Sequence, residues 1–456
     1  MQELITKDGI KKVAWIKRFM EYESLFPGFA EEVQIGGNET LKKYGIPLDI
    51  SEIGFKAKDP QNPNHMESAR PGTVSDDYAE FMNHKFAMID ILRSECEPSN
   101  DTFKKWRSRQ IGRCNMQLGP KVMALIHAPV VFELADGCSV GCEFCGLNAG
   151  RLKSVFRYTD ENAKLFNDIL KISKEVVGDA AGSGTLYFAS EPLDNPDYEL
   201  FMKEYVDVFD RIPQITTATV LKHREQMHKL LEALKENRRQ IYRFSVLSLE
   251  HAKEIFAEFT PEELVLVELL PQFEEAPTNN FVNAGRNADR NEEFGDTISC
   301  VSGFIVNMAR KEIRISTPTW ACKEHPTGEY LLYRRNFEDA EGFREVLTEG
   351  IKTCMSNILG PKEEIRVRPF IDCSIKGNEF VMNANNGMEY RVKDEKALEV
   401  YSELFKILGK DYKTREAVVK EFIKIPKYNG VRTDLIFYTI NKLWSMGILE
   451  CKSGKL

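Results

Sequence analysis

Residues 133–146 read ELADGCSVGCEFCG, and the placement of three cysteines in that short stretch sets the reading of the whole chain. Cys138, Cys142 and Cys145 stand as C-x3-C-x2-C directly after the apolar run HAPVVFELA. The pattern predicts a strand entering a tight loop, with Gly137, Gly141 and Gly146 supplying the turns. Three thiolates on one loop can hold three irons of a cubane [4Fe–4S] cluster, whereas a fully protein-ligated cluster normally takes four cysteines. The fourth iron then stays open to a small molecule, as a cluster needs if it is to chelate and reduce a substrate. The alternative is a structural zinc knuckle with Cys114 as fourth ligand. Zinc loops usually pair two C-x2–4-C elements, and one is present here.

The composition constrains what such a loop can belong to. A chain of 456 residues suggests roughly three domains. With 42% hydrophobic and 29% charged residues, it is neither collagenous, low-complexity nor wholly disordered. Its most apolar stretch, 122–134, is broken by His127 and Pro129, short of a membrane span. The opening MQELITKDGIKK lacks a signal-peptide layout, so a soluble, cytoplasmic protein is expected. The net charge of −8 argues against nonspecific nucleic-acid binding. From Tyr401 onward, 11 Lys/Arg stand against 6 Asp/Glu, a basic end on an acidic body that points to a local acidic partner. Ten cysteines without an export signal point to metal or redox chemistry or buried thiols rather than a disulfide framework.

The loop, with the aromatic Phe144 just before its third cysteine, resembles the signature of the radical S-adenosylmethionine (SAM) enzymes. In that superfamily the open iron binds the amino and carboxylate groups of SAM, whose reductive cleavage gives a 5′-deoxyadenosyl radical. The resemblance implies an α/β fold, a partial barrel of six βα units. The order of the downstream segments agrees with it. Thr159-Asp160-Glu161-Asn162 reads as a helix start. GTLYFASEP is a β-rich run, read as a strand, that ends at Glu191-Pro192, in the place of the GGE motif that contacts the SAM amino group, with Ala189 and Ser190 where the family has glycines. The runs 213–220, 241–250 and 264–272 read as strands, the last buried on both faces. On the second of these, Arg243 and Ser245 share one face and by resemblance contact the SAM carboxylate or ribose; solvated positions are the open alternative. Glu268 is a lone acid in the third, either a site residue or a strand end. TISCVSGFIVNM is expected as the sixth strand, in a hairpin with KEIRIS.

Four regions result: a helical N-terminal region (1–118), the barrel (119–335), a helical linker (336–361) and a terminal module (362–456). The N-terminal region resembles the helical opening of peptide-maturing radical SAM proteins, or simply packs on the barrel. WRSRQIGRC (106–114) lines an anionic site or is a solvated face; DPQNPNHMESARPG (59–72) reads as a loop. In the terminal module, EIRVRPFID, NEFVMNA and EYRVKD read as strands, followed by three helices and a closing ILECK strand. This resembles a winged-helix leader-peptide recognition element, which holds a precursor peptide as an added strand. DNA binding and a purely structural role are the alternatives.

Cysteine loop, ASEPLDNPDYE, QITTATV, RFSVLS, ELLPQ and Ala284–Arg286 together resemble the radical SAM peptide epimerases that convert L- to D-residues in proteusin-like precursors. That implies a precursor-peptide partner and an electron donor such as flavodoxin or ferredoxin. It also demands a thiol outside the cluster to return a hydrogen atom to Cα. Cys322, in TPTWACKEHPTGE, is placed best at the barrel mouth, Cys373 second and Cys300 third. Other readings are a peptide maturase that excises tyramine or forms crosslinks, a small-molecule radical SAM enzyme, and a zinc-stabilised peptide- or DNA-binding protein.

Overall fold

The computed structural model describes residues 7–456 except 57–64, 121, 123–124, 238–239, 280, 290–293, 385, 394 and 429–432. The loop expected at 59–72 therefore lies outside the described residues over 59–64. The described residues open with five α-helices: α1 (Lys7–Leu25), α2 (Phe29–Gly36), α3 (Asn38–Lys43), α4 (Val74–Glu95) and α5 (Asp101–Leu118). Ile16 and Phe19 of α1 are buried. Thr73 and Asn100 cap α4 and α5 by accepting the Ser75 and Phe103 amides.

Next comes β1 (Ala128–Glu133), buried along its whole length. The short antiparallel pair β2 (Ala135–Asp136) and β3 (Ser154–Val155) closes the base of the cysteine loop. α6 (Asp160–Val177) starts where the sequence predicts, on a Thr159 cap. The chain continues through α7 (Tyr198–Phe209), β4 (Thr216–Thr217), α8 (Arg224–Asn237), β5 (Tyr242–Val246), α9 (Leu249–Glu258) and β6 (Val267–Pro271). β4, β5 and β6 pair in parallel, with Thr216, Arg243 and Glu268 in one row. The predicted strand at 184–188 forms no regular ladder. It nevertheless runs between β1 and β4: Phe132 N–H donates to Thr185 O (2.9 Å), and Thr185 bridges Gln214 in parallel. Gly184 allows that approach, since a Cβ there would lie 1.8 Å from Val130 O.

The hairpin of β7 (Val301–Asn307) and β8 (Glu312–Pro318) forms as expected, but its position corrects the six-unit barrel. β7 pairs in parallel with β1, on the flank opposite 184–188, rather than beside β6. Four helices, α6–α9, link five parallel positions. Every residue of β7 is buried, and β1 and β8 pair along its two edges. β9 (Glu329–Asn336) then adds antiparallel to β8, so the Cys322 loop lies inside a β8–β9 hairpin rather than after the last one. A second correction concerns 264–272. Its strand begins only at Val267, and Glu268, Leu269 and Leu270 are half-buried rather than covered on both faces. Lys85 of α4 reaches over this edge to Glu268 (2.7 Å).

Residues 336–361 hold α10 (Ala340–Cys354), whose Phe343, Leu347 and Ile351 join the main core. Beyond it the described residues form six strands, not four: β10 (Glu364–Val367), β11 (Ile371–Lys376), β12 (Glu379–Ala384), β13 (Glu389–Val392), β14 (Lys413–Thr414) and β15 (Leu449–Cys451). The expected strand EIRVRPFID is split, because Pro369 has no N–H to give a ladder. Its halves join separate antiparallel sheets, β14-β10-β15 and β11-β12-β13. α11 (Glu395–Leu408), α12 (Arg415–Ile423) and α13 (Thr433–Ser445) complete a second core. Ile436, Ile440 and Leu443 of α13 are buried, while Met446 falls just past the helix and is half-buried.

α5 belongs to both cores. Phe103 meets Phe304 of β7 edge-on (5.5 Å between centroids), and Met116 is buried in the second core. A Cβ on Gly112 would sit 2.6 Å from Met446 O, and one on Gly447 would sit 2.5 Å from Arg113 N. The solvated or anion-lining face expected at 106–114 is overturned. Arg107, Arg109 and Arg113 are all buried and donate chiefly to neutral acceptors. Arg107 holds His127 O (2.7 Å) and Ile126 O (2.9 Å); Arg109 holds Asn357 Oδ1 and the carbonyls of Ser356 and Leu456; Arg113 holds Thr317 Oγ1, Gln117 Oε1 and Pro318 O. These guanidiniums tie the helix to backbone on both sides of it.

Candidate active site

The cysteine loop leaves the C-terminal end of β1 and returns beside itself. Cys138 N–H donates to Gly150 O (2.9 Å) and Leu152 N–H to Cys138 O (3.2 Å), so 138 and 151 lie side by side. Gly137 and Gly141 have positive φ (93° and 66°) as their turns require. Gly146 does not; it gives room to Ile298, whose Cγ2 would be 3.0 Å from a Cβ there. Backbone amides face the sulfurs: those of Val140 and Gly141 reach Cys138, and that of Ala149 reaches Cys145 (3.4 Å). Burial, then the neighbouring Cys138 and Cys145, pushes the Cys142 thiol up to about 11; ligation to a metal would displace that proton.

Three thiols on one loop, each approached by backbone donors or by one another, suit a cluster whose potential is tuned by N–H···S bonds. Among the described residues, no three His, Cys, Asp or Glu side chains converge as they would on one metal ion. A cubane asks for a different spacing, with each thiolate on its own iron. Cys114, the fourth ligand of the zinc alternative, is fully buried in α5, where burial raises its thiol to about 11.

The segment 189–194 docks on this loop. Glu191 is 4% exposed and sits at the head of a short turn. Its Oε1 accepts the Leu193 amide (3.2 Å), its Oε2 the Ala218 amide (3.0 Å), and the Thr217 hydroxyl bonds it as well. Burial raises its pKa against the pull of those donors. Its charge is felt at Cys138, so strand end and loop are neighbours. Carboxylate oxygens have two lone pairs each, which leaves acceptor capacity for a further donor. Asp194 accepts the Ser139 amide (2.8 Å) and ties the turn to the cysteine loop. Phe144 stacks at a tilt on Phe281 (5.3 Å).

Further predicted residues stand on β5 and β6, where Arg243 is an electrostatic neighbour of Tyr187 and Cys300. Arg243 stands at the start of β5, half-exposed, with Nε on Glu268 Oε2 (2.8 Å). Burial pushes the Glu268 carboxyl up, but Lys85 and Arg243 beside it outweigh this and hold it at about 2. Glu268 thereby closes a strand edge rather than standing alone. Ser245 shares the Arg243 face and is half-buried.

The three candidate thiols differ in setting. Cys300, half-buried, packs on an apolar patch that includes Leu147 of the cysteine loop and Ala189. Cys322 donates its S–H to Glu324 Oε2 (3.3 Å). Its loop comes after Pro318, level by register with the start of β1 and β7, so it leaves the sheet at the end opposite the cysteine loop. The antiparallel run of β8 sets that exit. The dipeptide Gly285–Arg286 nevertheless joins the two loops, donating from its successive amides to Pro326 O (2.7 Å) and Cys145 O (3.0 Å). Cys373 is exposed on β11, with Asp372, Lys406 and Lys410 as charged neighbours. Trp320 meets Phe370 edge-on (5.1 Å), which brings the segments carrying Cys322 and Cys373 together.

Sequence reasoning missed Asp194 and Glu133. Glu133 is 2% exposed and accepts the Ala189 amide, Asn307 Nδ2 and Arg314 Nη2. The available signal was an acid inside the apolar run VVFELA, since a buried carboxylate requires partners.

No family model matches the chain. A solved structure of BtrN in complex with AdoMet and 2-DOIA aligns with 50% of this chain and 82% of its own at 14% identity and a TM-score of 0.31, a likeness too slight to bear on fold or chemistry. The uncharacterized protein y4wI of Sinorhizobium fredii is 30% identical over 464 aligned residues, spanning 98% of this chain and 88% of that protein. The chain therefore belongs to the family of y4wI.

Proposed function

We propose that the protein is a radical SAM enzyme that epimerises L- to D-residues in a ribosomally made precursor peptide. The observation that supports this most is the C-x3-C-x2-C loop, faced by backbone amides and docked through Asp194 against the turn that carries Glu191. In this reading Cys138, Cys142 and Cys145 hold a [4Fe–4S] cluster, and Glu191 takes the amino group of SAM. Cluster and SAM together would supply a hydrogen-abstracting radical. A thiol of the chain then returns hydrogen to the far face of Cα: S–H breaks, C–H forms, and the sulfur must regain one electron and one proton before the next cycle. Cys322 and Cys373 are the proposed donors; Cys373 has the more open thiol, and Cys322 has its S–H spent on Glu324. The exposed edges of β11-β12-β13 offer the leader peptide a place to add as a strand.

Co-expression with a candidate precursor in D2O tests the reaction. Epimerisation adds one deuterium per site and leaves the mass in H2O unchanged, while excision of a tyramine unit loses mass. Replacing the true donor by Ala leaves SAM cleavage intact and abolishes D-residues. Full epimerisation by both Cys322→Ala and Cys373→Ala excludes both donors.

A further inference from the structure

Glu133 opens the cysteine stretch, yet nothing in the proposed chemistry uses it. It ends β1, buried, between strands that supply two of its three partners. Oε2 accepts Arg314 Nη2 of β8 (2.7 Å) and Asn307 Nδ2 of β7 (3.1 Å), and Oε1 accepts the backbone amide of Ala189 (2.9 Å). We infer that Glu133, held by Arg314, is a positioning residue that pins the 189–194 segment in the path needed to receive SAM. The inference rests on the proposed assignment of the site to SAM.

Burying an ion pair costs desolvation that its mutual attraction only partly offsets, so a strand end needing only to be filled does better with apolar side chains. Here the pair has a further task, because one carboxylate oxygen is turned away from the cation to a main-chain donor. From Ala189 the chain runs two residues to Glu191, fixed by the Leu193 and Ala218 amides, and on to Asp194, fixed by the Ser139 amide. The segment is thus held at the sheet, at the end of β4 and at the cysteine loop, and Glu133 is its hold on the sheet. Ala189 and Ser190 stand where the resembled family has two glycines. The path of the backbone is therefore set by a fixed acceptor rather than by glycine freedom.

Glu133→Gln tests the pin with almost no change of shape. Three donors surround the side chain, so an amide oxygen turned to Ala189 sets its NH2 against Arg314 and Asn307. Turned the other way, the NH2 meets the Ala189 amide. Either way a donor is lost, worth about 1.5–3 kcal/mol for a bond to a charged group, or roughly ten- to a hundredfold. Because a Gln oxygen turned to Ala189 keeps the pin, and a lone buried Arg314 can unfold the protein, Glu133→Met/Arg314→Met, which removes acceptor and cation together, is made alongside. The first measurement is hydrogen exchange of 184–195 in the cofactor-free full chain; the second is SAM affinity of the iron–sulfur-reconstituted chain at matched iron content. Exchange at least tenfold faster, with SAM bound about tenfold more weakly, is expected of the double variant. Wild-type exchange in the double variant, or faster exchange with unchanged SAM affinity, overturns the inference. A reconstituted wild type that binds no SAM overturns the assignment of the site itself, a result that cannot be mistaken for the other two.

Discussion

Two glycines one turn apart in the cysteine loop respond very differently to the same methyl group. Gly137 and Gly141 both hold positive φ, where an L side chain costs roughly 1–2 kcal/mol. At Gly141 the added Cβ meets nothing within 4 Å, so Gly141→Ala is limited to that cost. At Gly137 it would stand 2.2 Å from Arg151 O and 2.9 Å from Gly150 O, both backbone atoms that cannot swing aside. The returning strand must move, which adds overpacking strain of about 1–3 kcal/mol. It also strains the bonds from Cys138 N–H to Gly150 O and from Leu152 N–H to Cys138 O, worth about 1 kcal/mol each. Gly137→Ala thus costs about 4–7 kcal/mol against 1–2 for Gly141→Ala. Hydrogen exchange over 136–153 in the cofactor-free protein reads this as local opening, with tenfold for each 1.4 kcal/mol. Gly141→Ala should open about tenfold more often and Gly137→Ala a hundredfold or more, and Gly137→Ala should take up less iron on reconstitution. Equal acceleration, or a worse Gly141→Ala, would show that the close approach of Arg151 to Gly137 does not hold the loop.

Glu268 titrates near 2 in the folded chain against about 4.3 for a free glutamate, so its pairing stabilises the fold above about pH 4 and fades as pH falls from there toward 2. Lys85→Met removes one cation, raises the folded-state value and should start acid unfolding, followed by circular dichroism, at a higher pH; superimposable acid curves would contradict this. Gly112→Ala drives a Cβ to within 2.6 Å of Met446 O and should loosen the terminal unit by about 1–3 kcal/mol, seen as faster proteolysis beside the exposed Ile358. An unchanged cleavage rate would show that α5 does not hold that unit. Arg113→Met strands the Gln110, Gln117 and Thr317 side chains and Pro318 O inside the protein and should lower the midpoint of thermal unfolding by several degrees, while an unchanged midpoint would assign the guanidinium no structural task.

The sequence made some of this legible and hid the rest for physical reasons. Thr159 announces its helix because a cap is local, and the β7–β8 hairpin shows because its turn and its apolar runs adjoin. The cysteine spacing is likewise a property of one loop. What flanks β7 is not local. Its apolar run says that both faces are covered, but nothing in it distinguishes β1 from β6 as the neighbour. The arginines of α5 show the same limit. A helix carrying Arg107, Arg109 and Arg113 looks solvated until the carbonyls of 126, 127, 318 and 356 are in place to receive them. Glu133 hides because its partners lie 56, 174 and 181 residues away.

All of the chemistry proposed depends on the three loop cysteines leaving one iron free for SAM. The direct measurement is 5′-deoxyadenosine formed from SAM by the chain reconstituted without oxygen using iron and sulfide, then reduced with dithionite, beside a Cys138→Ala/Cys142→Ala/Cys145→Ala control. The account predicts 5′-deoxyadenosine and methionine in equal amounts from the wild type and none from the control. A brown, fully loaded wild type that yields no 5′-deoxyadenosine would contradict it.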